Sequence, residues 1–386
     1  MEVRNETELL TAIENEEQTI NIIDSFEVNQ QFDITSYIKI DGGTELHEIK
    51  KSNEYCGAIF KIYDDAALEL SNVVLDGNRE EHSLEEDNNK SLIILDGGSL
   101  MLYNNIVLRN NVTNGNGGGI CTVGNHSSGN RITAHTFDEN ENIHIENCEA
   151  AGNGGAIYFP IYNKHDDIML FGAIIENNKA VSGGGIFIES FFNDYIEEEM
   201  INPIRFECGI GNNIACSNGG GIYVCNHYAK EEMLARVYLG YSNIYNNEAA
   251  NGSAIYCENY NLDISETRIE HNIAKISGTL YFNAKDSNLE LNLIGIVIHN
   301  NKAQVGGAIY HTSNSGGIVN LYGGNIRYNR SYEYDEFGYE LSSNIYLDND
   351  SEKTFNLYVW DRSRIEEIKY TNTSKNSVIT IMEPET

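Results

Sequence analysis

A chain of 386 residues with 41% apolar content could hold two or three ordinary domains, yet a repeat array can use that length as one elongated unit. Its 58 acidic residues against 25 basic ones give a formal net charge of −33, which repels phosphate backbones and anionic lipid surfaces and argues against nucleic acid as a partner. No run of about 18 apolar residues supplies a membrane span.

The opening MEVRNETELL lacks the basic start and apolar core of a signal peptide, so the chain is expected to stay inside the cell or to be a mature or excised piece. NETELLTAIENEE, from Asn5, carries a capping box in Asn5 and Glu8 with Leu9, Leu10 and Ile13 behind it. That pattern predicts a short helix closing the first coil. TINIIDSFEVNQQFDITSYIKIDGG then supplies the first strands, so residues 1–54 form an N-terminal cap with its first strands.

From there one pattern returns. NNVTNGNGGGICTV (Asn110), NCEAAGNGGAIYFP (Asn147), NNKAVSGGGIFIES (Asn177), NNIACSNGGGIYVC (Asn212), NNEAANGSAIYCE (Asn246), HNIAKISGTLYFN (His271) and NNKAQVGGAIYHT (Asn300) are copies of a unit I-x-x-N-x-A-x-x-G-G-[AG]-I-[YF]. Aligned on their asparagine, the units fall at Asn78, Asn111, Cys148, Asn178, Asn213, Asn247, Asn272, Asn301 and Asn329. The steps of 25 to 37 residues describe a constant core with variable loops. Glycines and short runs of Ile, Val and Tyr disfavour helix. A unit this short cannot bury a face alone, so coils must stack on their neighbours. Stacking at the ~4.8 Å strand spacing makes an all-β, single-stranded parallel β-helix, a solenoid of about nine or ten coils over residues 55–350.

The asparagine column is expected at a left-handed turn position, with amides bonded from coil to coil. Ala180, Ala215, Ala249, Ala274 and Ala303 follow two residues on, where a small side chain lets the turn approach the core. Period two turns Ile157 with Phe159, Ile186 with Ile188, Ile222 with Val224, Ile255 with Cys257, and Leu280 with Phe282 inward. Tyr158, Phe187, Tyr223, Tyr256, Tyr281 and Tyr310 then form an outward aromatic stripe, with Cys121 as its odd member. Residues 351–386 lose the glycine pattern and alternate like an antiparallel or irregular sheet, a C-terminal β cap.

The GGAIY motifs at Gly154 and Gly306, with I-x-x-N at Ile244 and Ile298, resemble the adhesin-type β-helix repeats of bacterial surface proteins. They are most similar to the GGAI and FxxN pair of chlamydial-type polymorphic outer-membrane proteins. The N-[IV]-Y-L segment at Asn344 resembles a closing segment of large secreted proteins of gut anaerobes. Over residues 55 to 350 the resemblance implies a right-handed, pectate-lyase-like β-helix, displayed extracellularly or on a cell surface as an adhesin. No autotransporter barrel or sorting signal accompanies it.

Loops that leave one corner of the coil, such as FPIYNKHDDIML and VCNHYAKEEMLARVYL, project beside the aromatic stripe. The stripe has two readings: tyrosine faces that stack sugar rings or partner aromatics, or rings that cover and stabilise the coil. Glu189 and Glu258, two coils apart and about 9.6 Å between backbones, are the suspects for a polysaccharide lyase or glycoside hydrolase. Asp166 and Asp167, with Asp194 on a neighbouring loop, are candidate Ca²⁺ ligands. Solvated surface is the simpler account of these carboxylates, and the paired-Asp and Gly-His-Gly motifs of polygalacturonases are absent.

NGNGGGI at Asn114 precedes a strand and lacks the Lys-Ser/Thr ending of a phosphate loop. His126, His135 and His144 have nine-residue spacing that fits no zinc motif, and they are expected to be exposed polar residues. The acidic runs at Glu85 and Glu197 are expected as loop solubility. The seven cysteines, none in a C-x-x-C motif, are expected as buried thiols. The favoured function is a non-catalytic adhesin or recognition rod that binds glycan or a neighbouring cell's surface protein. A polysaccharide-cleaving enzyme and a self-associating phage or filament protein are the alternatives.

Overall fold

Alternation of side chains decides how each unit folds. In Ile186–Ser190 the isoleucines at 186 and 188 must leave water, so Phe187 and Glu189 turn to the other side. The computed structural model describes residues 1–84, 89–136, 142–191, 204–227, 236–284, 289–313, 317–336, 338–349, 355–359, 363–365, 368–370 and 378–381. In it, Ile186–Ser190 lies parallel between Ile157–Ile161 and Ile222–Asn226, with Ile157, Ile186 and Ile222 in register. Successive coils repeat that pairing on up to three faces. Among the described residues, twenty strands line a broad face, twelve the face carrying the aromatic stripe and nine a short face after the asparagine turn. The protein is a parallel β-helix.

The inward residues fill one continuous core. Phe159, Ile188, Val224, Cys257 and Phe282 follow one another in register on the aromatic face and are fully buried. Each such side chain contributes roughly 1.5–3 kcal/mol by leaving water, and no single coil could cover it. The alanines at 180, 215, 249, 274 and 303 are buried beside the turn, as their size predicts.

The asparagine turn divides its work between two residues. Left-handed backbone falls on the residue before the column, at Asn177, Asn212, Asn246, His271 and Asn300, whose φ values run from 54° to 59°. The column residue itself builds the ladder. Asn213 accepts at Oδ1 from the backbone N–H and the Nδ2 of Asn178, both at 3.0 Å. It donates its own N–H and Nδ2 to Oδ1 of Asn247 at 3.0 Å, and Nδ2 also to the Ile175 carbonyl at 2.9 Å. Asn247, Asn272 and Asn301 repeat the arrangement, and Asn329 closes it on Asn344 at 2.8 Å. The expectation of one asparagine doing both jobs is corrected: the doubled Asn-Asn supplies one residue for each.

The glycines are dictated by the same close approach. Gly183 has φ 61°, and a Cβ at Gly184 would lie 2.4 Å from the Gly220 carbonyl oxygen of the next coil.

At the N-terminus the helix Glu6–Glu14 forms as predicted, with Asn5 Oδ1 accepting from Glu8 N at 3.0 Å and Leu9, Ala12 and Ile13 buried. Glu8 reaches the Arg4 amide at 2.8 Å instead of the Asn5 amide of a capping box. Coils also extend beyond the repeated motif. Phe32–Ile34 and Ile368–Tyr370 are the outer strands of the twelve on the aromatic face, which exceed the nine or ten coils expected from the asparagines. The C-terminal segment is β, as its alternation predicts, but Phe355–Val359, Ser363–Ile365, Ile368–Tyr370 and Val378–Ile381 pair parallel. Alternation alone carries no strand direction, and the coil beneath offers parallel edges. Antiparallel pairing among the described strands joins Arg330–Tyr334 to Glu340–Ser342.

Three substitutions test this packing. Asn247→Ala strands the Asn213 donors and the Ile210 carbonyl, and urea unfolding should show a loss of about 3 kcal/mol or more. Asn246→Gly keeps the left-handed turn and should change stability by less than about 1 kcal/mol. His311 is buried beneath Phe282, and desolvation pulls its imidazole down to about 4. The unfolded chain, with its histidine near ~6.5, then binds the extra proton. This contribution is therefore intact above about pH 6.5 and lost as pH falls toward about 4. His311→Leu should remove it, and the stability difference from the parent should grow by up to about 3 kcal/mol across that window.

Candidate functional site

Register on the aromatic face brings the six predicted rings together and adds Tyr346 at the end. Centroids from Tyr158 through Phe187, Tyr223, Tyr256, Tyr281 and Tyr310 to Tyr346 lie 4.6 to 5.7 Å apart, with planes tilted by 4° to 21°. At that spacing the faces cover one another, and Phe187 and Tyr256 are buried. Burial pushes the Tyr158, Tyr223 and Tyr256 hydroxyls up, with Glu189 adding to the effect at Tyr158. Along this column the ring edges face outward, and the flat faces are taken by neighbouring rings. A shorter parallel stack runs Tyr162, Phe191 and His227, at 5.2 and 4.8 Å.

Glu189 and Glu258 occupy the expected outward row two residues beyond the rings, with Cys225 in register between them. Each meets a tyrosine of the preceding coil. Glu189 Oε1 accepts from the Tyr158 hydroxyl, and Glu258 Oε2 from the Tyr223 hydroxyl at 3.4 Å. Glu189 Oε2 lies 2.9 Å from His227 Nε2, so the structure groups Glu189 with Cys225 and His227.

Asp166 is a turn residue. Its carboxylate accepts from the backbone amides of Asn130, Tyr162 and Asn163 at 2.7 to 2.9 Å and is nearly fully buried. Asp167 stands beside Arg131 on the broad face. Neither belongs to a three-donor cluster among the described residues, where two occur: Glu189 with Cys225 and His227, and His144 with Glu146 and Glu176. Asp194 and the acidic runs at Glu85 and Glu197 lie outside the described residues.

His126, His135 and His144 are half-buried, not exposed, because the outer surface of a coil packs against its neighbours. His126 Nε2, for instance, lies 2.6 Å from Asp96 Oδ1. Cys148, Cys208, Cys225 and Cys257 are buried and outside any disulfide, whereas Cys216 is exposed. Burial pushes the Cys121, Cys148 and Cys208 thiols up to about 12.

A further open aromatic surface lies on the broad face and was not legible from the repeats. Arg205, Tyr238, Asp263, Asn292 and Asn320 stand in register on five successive coils. They line a cleft of about 590 Å³ together with Glu207, Tyr241, Glu290 and Tyr322. Gly240, Ser265, Ile294 and Tyr322 stand in register in the adjacent row, so beside Tyr238 and Asp263 the cleft is bordered by two small residues and then by Ile294 and Tyr322. Tyr238 is 42% exposed, Tyr241 75% and Tyr322 36%. Tyr241 takes left-handed backbone, φ 44°, at the bend between Arg236–Gly240 and Asn243–Tyr245, a strained conformation for a non-glycine residue.

Polar groups in the cleft are tied to one another. Arg236 binds Asp263 at 2.6 Å and Glu290 at 3.3 Å, while Asn292 donates to Asp263 at 2.8 Å and Asn320 to Asn292 at 2.7 Å. The Arg205 guanidinium lies 5.5 Å from the Tyr238 ring centre. These residues come from stretches that share no motif, so only coil-to-coil register gathers them.

Comparison with protein-family profiles, curated proteins and solved structures finds no match.

Asp167 offers a test of the electrostatics of this face. Burial pushes its carboxyl up to about 6, with Arg131 and Arg205 opposing the rise, and its Oδ1 is buried without a hydrogen bond. The folded state thus holds a proton that the unfolded chain releases near ~3.9. That contribution is present below about pH 4 and lost as pH rises through about 6. Asp167→Asn should gain on the parent by about 1 kcal/mol between pH 4 and 7, solvent screening having reduced the full shift. Urea unfolding at stepped pH measures it.

Proposed function

We propose that the protein is a non-catalytic recognition rod, of the kind displayed as an adhesin, that binds glycan in the cleft of the broad face. The observation that supports this reading is the row Arg205, Tyr238, Asp263, Asn292 and Asn320, with the exposed rings of Tyr238, Tyr241 and Tyr322 in the same cleft. A sugar needs an apolar face for its C–H side and fixed donors and acceptors for its hydroxyls. The cleft supplies both, whereas the aromatic stack has already used its ring faces.

Binding is favoured over cleavage because Asp263 and Glu290 are both engaged by Arg236. Such a pair positions hydroxyls well and is poorly placed to donate a proton to a leaving oxygen. The net charge favours a neutral or basic saccharide over an acidic one.

A glycan array of the purified chain, with and without calcium, tests the reading beside two variants. Tyr238→Ala with Tyr241→Ala should weaken binding at least about tenfold. Tyr223→Phe with Tyr281→Phe, which keeps the stack and removes hydroxyls from its edge, should leave binding unchanged. Binding that survives the cleft variant, binding lost with the hydroxyls, or release of shorter sugars would each contradict it.

A further inference from the structure

Outward positions on two neighbouring strands bring three donors of different chemistry to one point. Cys225 and His227 are two residues apart at the end of Ile222–Asn226 and so project to the same side. Glu189 stands opposite Cys225 in the parallel ladder. His227 Nε2 lies 2.9 Å from Glu189 Oε2 and 3.8 Å from Cys225 Sγ, and the three ligand atoms are all within 4.8 Å of one another.

The arrangement is unlike a nucleophilic triad. There the imidazole links a thiol and a carboxylate through its two different nitrogens. Here thiol and carboxylate converge on the same Nε2, so the ring cannot relay a proton from one to the other. Convergence on a shared point is what a metal ion requires. Donors bound at zinc's distances of about 2.0 to 2.3 Å stand roughly 3.3 to 3.7 Å apart along the edges of a tetrahedron. Both contacts to Nε2 reach such edges with shifts of a few tenths of an ångström.

We propose that Glu189, Cys225 and His227 form a binding site for a thiophilic divalent metal ion of the zinc class. Its surroundings already orient the donors. The Tyr158 hydroxyl donates to the other oxygen of Glu189, and Phe191 stacks on the His227 ring at 4.8 Å with planes 15° apart. Such partners fix carboxylate and imidazole before the ion arrives. Cys225 is 5% exposed, while the His227 side chain is 46% exposed, so an ion can enter from the His227 side. Three protein donors leave one tetrahedral position toward solvent for water or a ligand atom from a partner. Thiolate and imidazole select against calcium and magnesium, which want oxygen ligands. Binding displaces the thiol proton and any proton on Nε2, so affinity rises with pH.

Cobalt titration of the full reduced chain tests the site. One equivalent should bind with a thiolate-to-cobalt charge-transfer band, be displaced by zinc, and be unaffected by excess calcium or magnesium. Cys225→Ser should abolish the band, and His227→Gln, at an exposed position that leaves the core intact, should weaken binding at least about tenfold. Cys216→Ser, at the exposed cysteine, and His144→Ala, in the other three-donor cluster, should leave it unchanged. Absence of the band, its survival in Cys225→Ser, its loss in Cys216→Ser, or unchanged affinity in His227→Gln would each overturn the proposal.

Discussion

One buried amide sets the height and rotation of each coil on the next. Asn213 gathers two donors from Asn178 on its oxygen, passes two donors on to Asn247, and reaches back to the Ile175 carbonyl. These groups are fully buried, so leaving any of them unpaired would incur a desolvation penalty of about 1–3 kcal/mol. The ladder therefore admits one register. A slip by one residue would turn Ile186 and Ile188 out to water and break the amide chain together.

Ladder defects show how strict that constraint is. Cys148 replaces an asparagine and has no amide, although its backbone N–H still donates to Asn178 Oδ1 at 2.9 Å. Further toward the N-terminus Asn78 has turned away. It adopts φ 57° itself and donates its backbone N–H to Asp76 Oδ1 at 2.8 Å. The acceptor left at Asn111 Oδ1 is filled by Lys51, whose Nζ lies 2.9 Å from it and 3.0 Å from the Lys90 carbonyl. Lys51 is fully buried, and desolvation pulls its ammonium down to about 7. A costly buried amine is tolerated there because an unfilled acceptor in the ladder would also destabilise the coil.

Features carried within one unit were legible in the sequence, and features assembled between units were not. The inward isoleucines, the glycine turn, the N-terminal helix and the aromatic stripe each follow from a local period or a local steric demand. The asparagine doublet is visible too, but nothing in the pattern shows that its first member takes the left-handed backbone while its second builds the ladder. The terminal coils escaped because Phe32–Ile34 and Ile368–Tyr370 belong to segments without the repeated asparagine and glycine. Tyr238, Asp263 and Asn292 sit in three different units with no shared motif, and although Glu189 and Cys225 share one position of the repeat, nothing in the repeat marks His227 as their partner. Both arrangements exist only once register is known.

The result is a division of labour among faces. Asparagines at the turn before the short face fix the register, rings on the aromatic face spend their surfaces on one another, and the broad face keeps exposed tyrosines beside a polar row. Rigidity and recognition are thereby carried by different side chains of the same coils. A crystal structure of the chain with a bound oligosaccharide tests this most directly. The account predicts an intact sugar ring lying against Tyr238 or Tyr241 in the broad-face cleft, with its hydroxyls on Asp263 and Asn292. Sugar density along the edge of the Tyr158 to Tyr346 column, or a cleaved product in the cleft, would contradict it.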